Sequence, residues 1–253
     1  MAFYANAYVS SITPESLKRY ERERRVKNGT RPASINYVRR ELAVLASALS
    51  HAVKNGRLTS HPKIVLPPPG PEKDRHLEEP EISALLEACH EPHLKLFVLL
   101  AINTGSRKGA ILELKWCQID LVGRLIYLNP PGRMQTTKKR AIVPMNETLH
   151  QALVDAHADA PKTPYVIHYH GQPVADIKTS FSAACVRAGL TGVTPHTLRH
   201  TAGTLMAKAG VDMFFIGRVL GHSIQRTTEK YAHHRPEYLR TAVDVLGRTT
   251  SSR

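Results

Sequence analysis

The chain of 253 residues is poor in cysteine, in tryptophan and in negative charge. Its three cysteines, Cys89, Cys117 and Cys185, form no C-x-x-C pair, which excludes a disulfide scaffold and a zinc ribbon and suits a reducing compartment. Long apolar runs are missing too. The most apolar stretch, Leu94 to Ile102, includes Lys95 and is far too short to cross a bilayer, so no membrane partner is expected. Met1 to Ser11 has no charged start followed by an apolar run, which argues against a secretion signal. Together these absences predict a soluble, cytoplasmic protein. What the chain does have is a core and a charge. Hydrophobic residues make up 42%, enough for an ordinary globular interior. Lys and Arg number 35 against 21 Asp and Glu, a formal net charge of +14. Such an excess suits a partner made of phosphates, because each cation that neutralises one releases a counterion.

Thr13-Pro14 is a helix start, a hydroxyl cap with proline at the first helical position. The helix is predicted through Glu15 to Lys27 and stops at Asn28-Gly29. A second is predicted from Ile35, Val38, Leu42, Leu45, Leu49 and Ala52, spaced three and four apart as one apolar stripe. Pro67-Pro68-Pro69-Gly70-Pro71 continues neither helix nor strand. Residues 67–76 therefore read as an extended linker between a small helical domain, 1–66, and a larger one, 77–253. In the larger domain helices are predicted over Pro80–Cys89, His93–Ile102, Glu147–Ala158, Asp176–Ala188, His196–Ala209, Asp212–Leu220 and Ile224–His233. A short one follows Gly105, and a last one from Pro236 carries Leu239, Val243 and Leu246. Leu125–Leu128 reads as a strand and Arg140–Met145 as its antiparallel return across a long basic tip. The fold class expected is α+β, mostly α-helical, with a small antiparallel sheet.

Several residues carry more chemistry than packing requires. Thr104-Gly105-Ser106-Arg107 is a turn presenting an arginine; alone it is also the pattern of a plain surface arginine. Thr194-Pro195 opens a helix that sets His196 and Arg199 on one face, at an N-terminus that favours anions. His196 and His200 stand four apart, as zinc ligands do, but Arg199 between them puts a cation beside any metal, so no metal is expected. Leu220-Gly221-His222 reads as a helix end with glycine past its last turn. Tyr231 lies nine residues beyond His222. A phenol with its ordinary pKa of about 10 is a poor nucleophile at neutral pH unless a cationic pocket or a base assists it. His222, Arg199 and Arg107 would supply that pocket. Guanidinium forks that stay charged at any working pH are suited to clamp a phosphodiester from two sides.

In this order, with Gln135-Thr136-Thr137-Lys138-Lys139-Arg140 on the basic tip, these segments resemble the active-site series of the tyrosine recombinase (phage integrase) family, over roughly Leu77 to Leu246. The resemblance implies a site-specific recombinase that cuts and rejoins DNA through a 3′-phosphotyrosyl link, for integration or excision of a phage or mobile element, with no metal and no cofactor. It implies Tyr231 as nucleophile, Arg107 and Arg199 on the phosphate, and His196 and His222 in proton transfer and phosphate binding. Lys138 is implied as general acid for the leaving 5′-oxygen, with Lys139 as the alternative. Arg22, Arg25, Arg39, Arg40, Lys139 and Arg140 are expected to contact DNA. The implied partners are double-stranded attachment sites, three further copies in a synaptic homotetramer, and an accessory DNA-bending or directionality factor, all on the nucleoid. The segment from Pro236 either docks on a neighbouring subunit or folds back on its own domain. Two departures stand out. Many members carry glutamate three residues after the first arginine; here Ala110 stands there, so the buttress of Arg107 is either missing or replaced by Glu113. Members also carry a four-helix DNA-clamping domain, so 1–66, with two strong helices, is expected to be an incomplete one. Two rival readings stay open at this point: a non-catalytic DNA-binding protein and a type IB topoisomerase.

Overall fold

The computed structural model describes residues 8–26, 32–71, 75–134, 140–159 and 162–221. The chain divides into two compact units, Met1–Lys73 and Asp74–Arg253. The sequence-predicted Lys138, Lys139, His222 and Tyr231, and the helices expected over Ile224–His233 and from Pro236, lie outside the described residues.

The first unit is built on α1 (Pro14–Arg25) and α2 (Ile35–Lys54). Thr13 and Ser16 close a reciprocal cap: the Ser16 amide donates to Thr13 Oγ1 at 3.2 Å and the Thr13 amide to Ser16 Oγ at 2.9 Å. The apolar stripe of α2 faces inward as its spacing predicts. Val38, Leu42 and Leu49 are buried against Leu17 and Tyr20 of α1. Arg24 reaches Glu41 through two hydrogen bonds, of 2.8 and 3.1 Å, tying the two helices together. Burial and the Glu41 carboxylate beside it push the Tyr20 phenol up to about 12. The proline run lies along α2. Arg39 donates to the Pro67 carbonyl, the Gly70 amide donates to Asn36 Oδ1 at 2.8 Å, and Ile64 and Leu66 pack on the apolar cluster.

In the second unit a nearly all-apolar helix, α4 (Pro92–Thr104), buries Leu94, Leu96, Phe97, Val98, Leu100 and Ala101. A helix apolar around its whole circumference belongs in the middle of a core. Around it stand α3 (Glu79–Glu87), α5 (Lys108–Leu112), α6 (Glu147–Ala158), α7 (Lys178–Arg187), α8 (Pro195–Lys208) and α9 (Met213–Leu220). A three-stranded antiparallel sheet runs β1 (Ile119–Asp120), β2 (Leu125–Tyr127), β3 (Ile142–Pro144). Its register pairs Ile126 with Val143, and both point into the core while their neighbours stay outside. A second hairpin, β4 (His168–Tyr169) and β5 (Gln172–Pro173), turns on His170 and Gly171, both at positive φ, the backbone demanded by a two-residue hairpin loop. All three cysteines are free. Among the described residues no helix is long and apolar enough to cross a membrane.

Candidate active site

The end of α4 is shaped by three small polar residues. Thr104 Oγ1 donates to the Leu100 carbonyl at 2.6 Å and lies 2.7 Å from Ser106 Oγ, while the Ser106 amide donates to it at 3.2 Å. Gly105 caps the helix in the left-handed region, at φ 60° and ψ 20°. A Cβ there would sit 2.3 Å from Leu220 Cδ2 and 3.4 Å from the Ala202 Cβ. The left-handed conformation requires glycine here, and a side chain would in addition have to displace the buried Leu220 side chain of α9. Arg107 follows as the N-cap residue of α5.

Opposite this turn, α8 starts from a second reciprocal cap. The Thr197 amide donates to Thr194 Oγ1 at 3.3 Å and the Thr194 amide to Thr197 Oγ1 at 3.0 Å. One turn in, Arg199 is 4% exposed and its Nη1 donates to the Gly105 carbonyl at 2.8 Å. Residues 94 apart in sequence are thereby locked together, and the buried guanidinium satisfies an exposed-end carbonyl of α4. Arg107 and Arg199 both line a pocket of about 210 Å³, together with Ser106, Arg133, Arg140 and Leu220. Burial, and then the charge of Arg140, push the Arg107 guanidinium down from its ordinary value; it remains a cation at any working pH.

The structure therefore brings together Arg107, Arg199 and Arg140 of the expected residues. His196 is the exposed residue of the first turn of α8 and does not line the pocket formed by the described residues. Its ring meets that of His200 edge-on, centroids 4.6 Å apart. Among the described residues no group of three or more His, Cys, Asp or Glu is arranged to hold a metal. Arg22, Arg25 and Arg40 are exposed on the first unit, whereas Arg39 is half-buried with its donor on Pro67. Ala110 lines the pocket, and Glu113 forms its ion pair with Arg140 at 2.6 Å, a different arginine from the one it was expected to buttress. The sequence reading also missed Arg133 as a pocket residue; a basic loop carries no spacing that singles one arginine out.

Gly105→Ala is expected to destabilise the protein by about 2–5 kcal/mol, adding left-handed backbone strain to overpacking against Leu220. Thermal melting with Gly109→Ala as control checks this: a Cβ at Gly109 meets nothing nearer than 3.8 Å. An unchanged melting temperature for Gly105→Ala would contradict the close approach.

The chain is 29% identical to the integrase of Salmonella phage P22 over 223 residues, covering 83% of this chain and 57% of that one. The catalytic domain of bacteriophage HP1 integrase matches in structure with a TM-score of 0.52 at 29% identity, covering 67% of this chain and 94% of that one. The Tn1549 transposon integrase in complex with circular intermediate DNA shares the fold, with a TM-score of 0.73 at 17% identity over 89% of this chain and 82% of that one. The chain spans 47–66% of the length of the first curated relatives it matches. The sequence profile of the phage integrase family matches residues 75–237, well over half of the chain and the whole neighbourhood of the arginine pocket, and the protein belongs to that family.

Proposed function

We propose that this protein is a metal-independent site-specific DNA recombinase acting through a covalent 3′-phosphotyrosyl intermediate. The observation that carries this reading is the pocket itself: Arg107 and Arg199, 92 residues apart, are fixed on one small cavity. Preorganised cations aimed at developing negative charge are usually the largest catalytic term. Here they would neutralise the non-bridging oxygens of a phosphodiester. The Tyr231 oxygen then attacks phosphorus; the new bond is tyrosyl O–P, and the bond that breaks is P–O5′. The phenol proton passes to a histidine, His222 or His196, and Lys138 supplies the proton that the leaving 5′-oxygen takes up. A 5′-hydroxyl attacking the phosphotyrosine reverses the step on a new strand. One ester replaces another, so no energy source is consumed.

The partner is double-stranded DNA at an attachment site, contacted by Arg22, Arg25, Arg39, Arg40, Lys139 and Arg140. The working assembly is a homotetramer on two duplexes, in which the segment from Pro236 joins protomers, aided by an accessory DNA-bending or directionality factor. It acts on the nucleoid, in the cytoplasm. Family membership, a net charge of +14 and a fold shared with an integrase captured on DNA support this reading.

The test starts without knowledge of the site. Incubate the protein with a randomised library of nicked duplexes, in which cleavage releases a short fragment and traps the intermediate. Protein-linked DNA that survives denaturant is expected, and sequencing it yields the target. No captured DNA at any protein concentration would defeat the proposal. Cleavage of the captured duplex is expected to be unchanged in EDTA, because arginines fill the electrostatic role of a metal; loss in chelator with recovery on Mg²⁺ would contradict this.

A further inference from the structure

Arg140 is unlike the other residues of the basic tip. Long cationic side chains are rarely buried unless paired, yet the Arg140 side chain is only 11% exposed. It is held in place from two directions. Its Nη2 donates to Glu113 Oε2 at 2.6 Å and its Nη1 to the Leu128 carbonyl at 3.4 Å. Glu113 is itself 60% exposed, so the carboxylate holds the guanidinium from the solvent side while the arginine faces the pocket. A cation that merely neutralised the DNA backbone would gain nothing from a fixed rotamer, since counterion release requires charge alone. A planar fork fixed in the wall of a small pocket is instead matched to an oxyanion.

Two further observations point the same way. The charge of Arg140 contributes to pushing the Arg107 guanidinium below its ordinary value, so the two cations are within electrostatic reach of one another. An anion between them would turn that repulsion into attraction twice over. No acidic side chain is among the described residues lining the pocket, and Ala110 forms part of its wall.

We propose that Arg140 is a third arginine on the scissile phosphate, touching its non-bridging oxygens during cleavage, and that Glu113 is the residue that positions it. This rests on the reading of the pocket as a phosphoryl-transfer site. In this chain Ala110 lines the pocket, and the carboxylate that holds Arg140 comes from Glu113, the C-cap residue of α5.

The experiment uses the full chain and the duplex captured from the library, made with either an ordinary scissile phosphate or a methylphosphonate, in which a methyl group replaces one charged oxygen. Single-turnover cleavage is measured at saturating protein, with affinity for the duplex measured separately. Arg140→Gln is expected to slow cleavage of the phosphate substrate about 10²–10³-fold with little loss of affinity, the range seen when one preorganised donor is removed. The uncharged methylphosphonate needs one cation fewer, so it should close most of the gap between variant and wild type. Glu113→Gln keeps the cation and loosens it; a loss of roughly tenfold is expected, as for a misaimed group. The assignment is overturned if Arg140→Gln cleaves the phosphate substrate at the wild-type rate. It is equally overturned if the defect is confined to affinity, with a salt slope reduced by about one, as for a backbone contact. A loss that methylphosphonate does not relieve also overturns it, since that is the mark of structural damage. Should Arg140→Gln fail to fold, Arg140→Lys carries the same comparison: it keeps charge and bulk but lacks the fork, and a wild-type rate in it counts against the proposal. A wild-type protein that forms no covalent adduct would bring down the underlying reading and this assignment with it.

Discussion

Tyr231→Phe is expected to abolish the denaturant-resistant protein–DNA adduct completely while leaving duplex binding and the melting temperature nearly intact. The substitution removes one oxygen and keeps the ring. Losing a single hydroxyl hydrogen bond costs about 0.5–1.5 kcal/mol, too little to unfold an ordinary domain. Chemistry, by contrast, loses its nucleophile outright, and no rearranged side chain restores an oxygen at that point. The chain has nine tyrosines, so the choice must be made against real alternatives. Tyr20 is disfavoured physically: burial and Glu41 hold its phenol up to about 12, the opposite of what a nucleophile requires. Tyr127, Tyr165 and Tyr169 belong to the second unit and serve as Phe controls that should keep full adduct formation. The adduct band is read on a denaturing gel with the nicked substrate. An undiminished band from Tyr231→Phe, or its loss in one of the controls, would mean that the spacing from His222 selected the wrong residue.

Much of the helical framework was legible because the caps were. Thr13-Pro14 and Thr194-Pro195 mark starts that the structure places within one residue of prediction. The expected strand pair returns as β2 and β3 with Ile126 opposite Val143. β1 and the β4–β5 hairpin escaped because each strand is two residues long, too short to display an alternation of period two. In the site, Arg107 and Arg199 were readable from motif context, since their turns and caps leave local marks. The reason for Gly105 was not. Its constraint is the Leu220 methyl group, contributed by another helix far along the chain. The Glu113–Arg140 pair was likewise invisible, because charge partners 27 residues apart across a helix and a hairpin share no spacing rule. His196 and Arg199 stand three apart on α8 as their spacing predicts, His196 exposed and Arg199 buried; spacing sets the angle around a helix and not the depth at which each residue sits.

Lys138→Ala is expected to slow strand cleavage by about 10²–10⁴, the usual worth of a positioned proton donor, with only a small change in affinity. Lys138 and Lys139 lie outside the described residues, so the choice between them falls to experiment. The leaving group provides a sharper discriminator than rate alone. An alkoxide departing from phosphorus needs a proton, whereas a thiolate does not, because an ordinary thiol has a pKa of only about 8.5. Replacing the bridging 5′-oxygen by sulfur should therefore restore cleavage in Lys138→Ala and do nothing for Arg140→Gln, whose defect lies on the non-bridging oxygens. Rescue of Lys139→Ala alone would shift the acid one residue along. If sulfur rescues neither lysine variant, both belong to the DNA backbone contacts, and their effect should appear as a salt-dependent loss of binding.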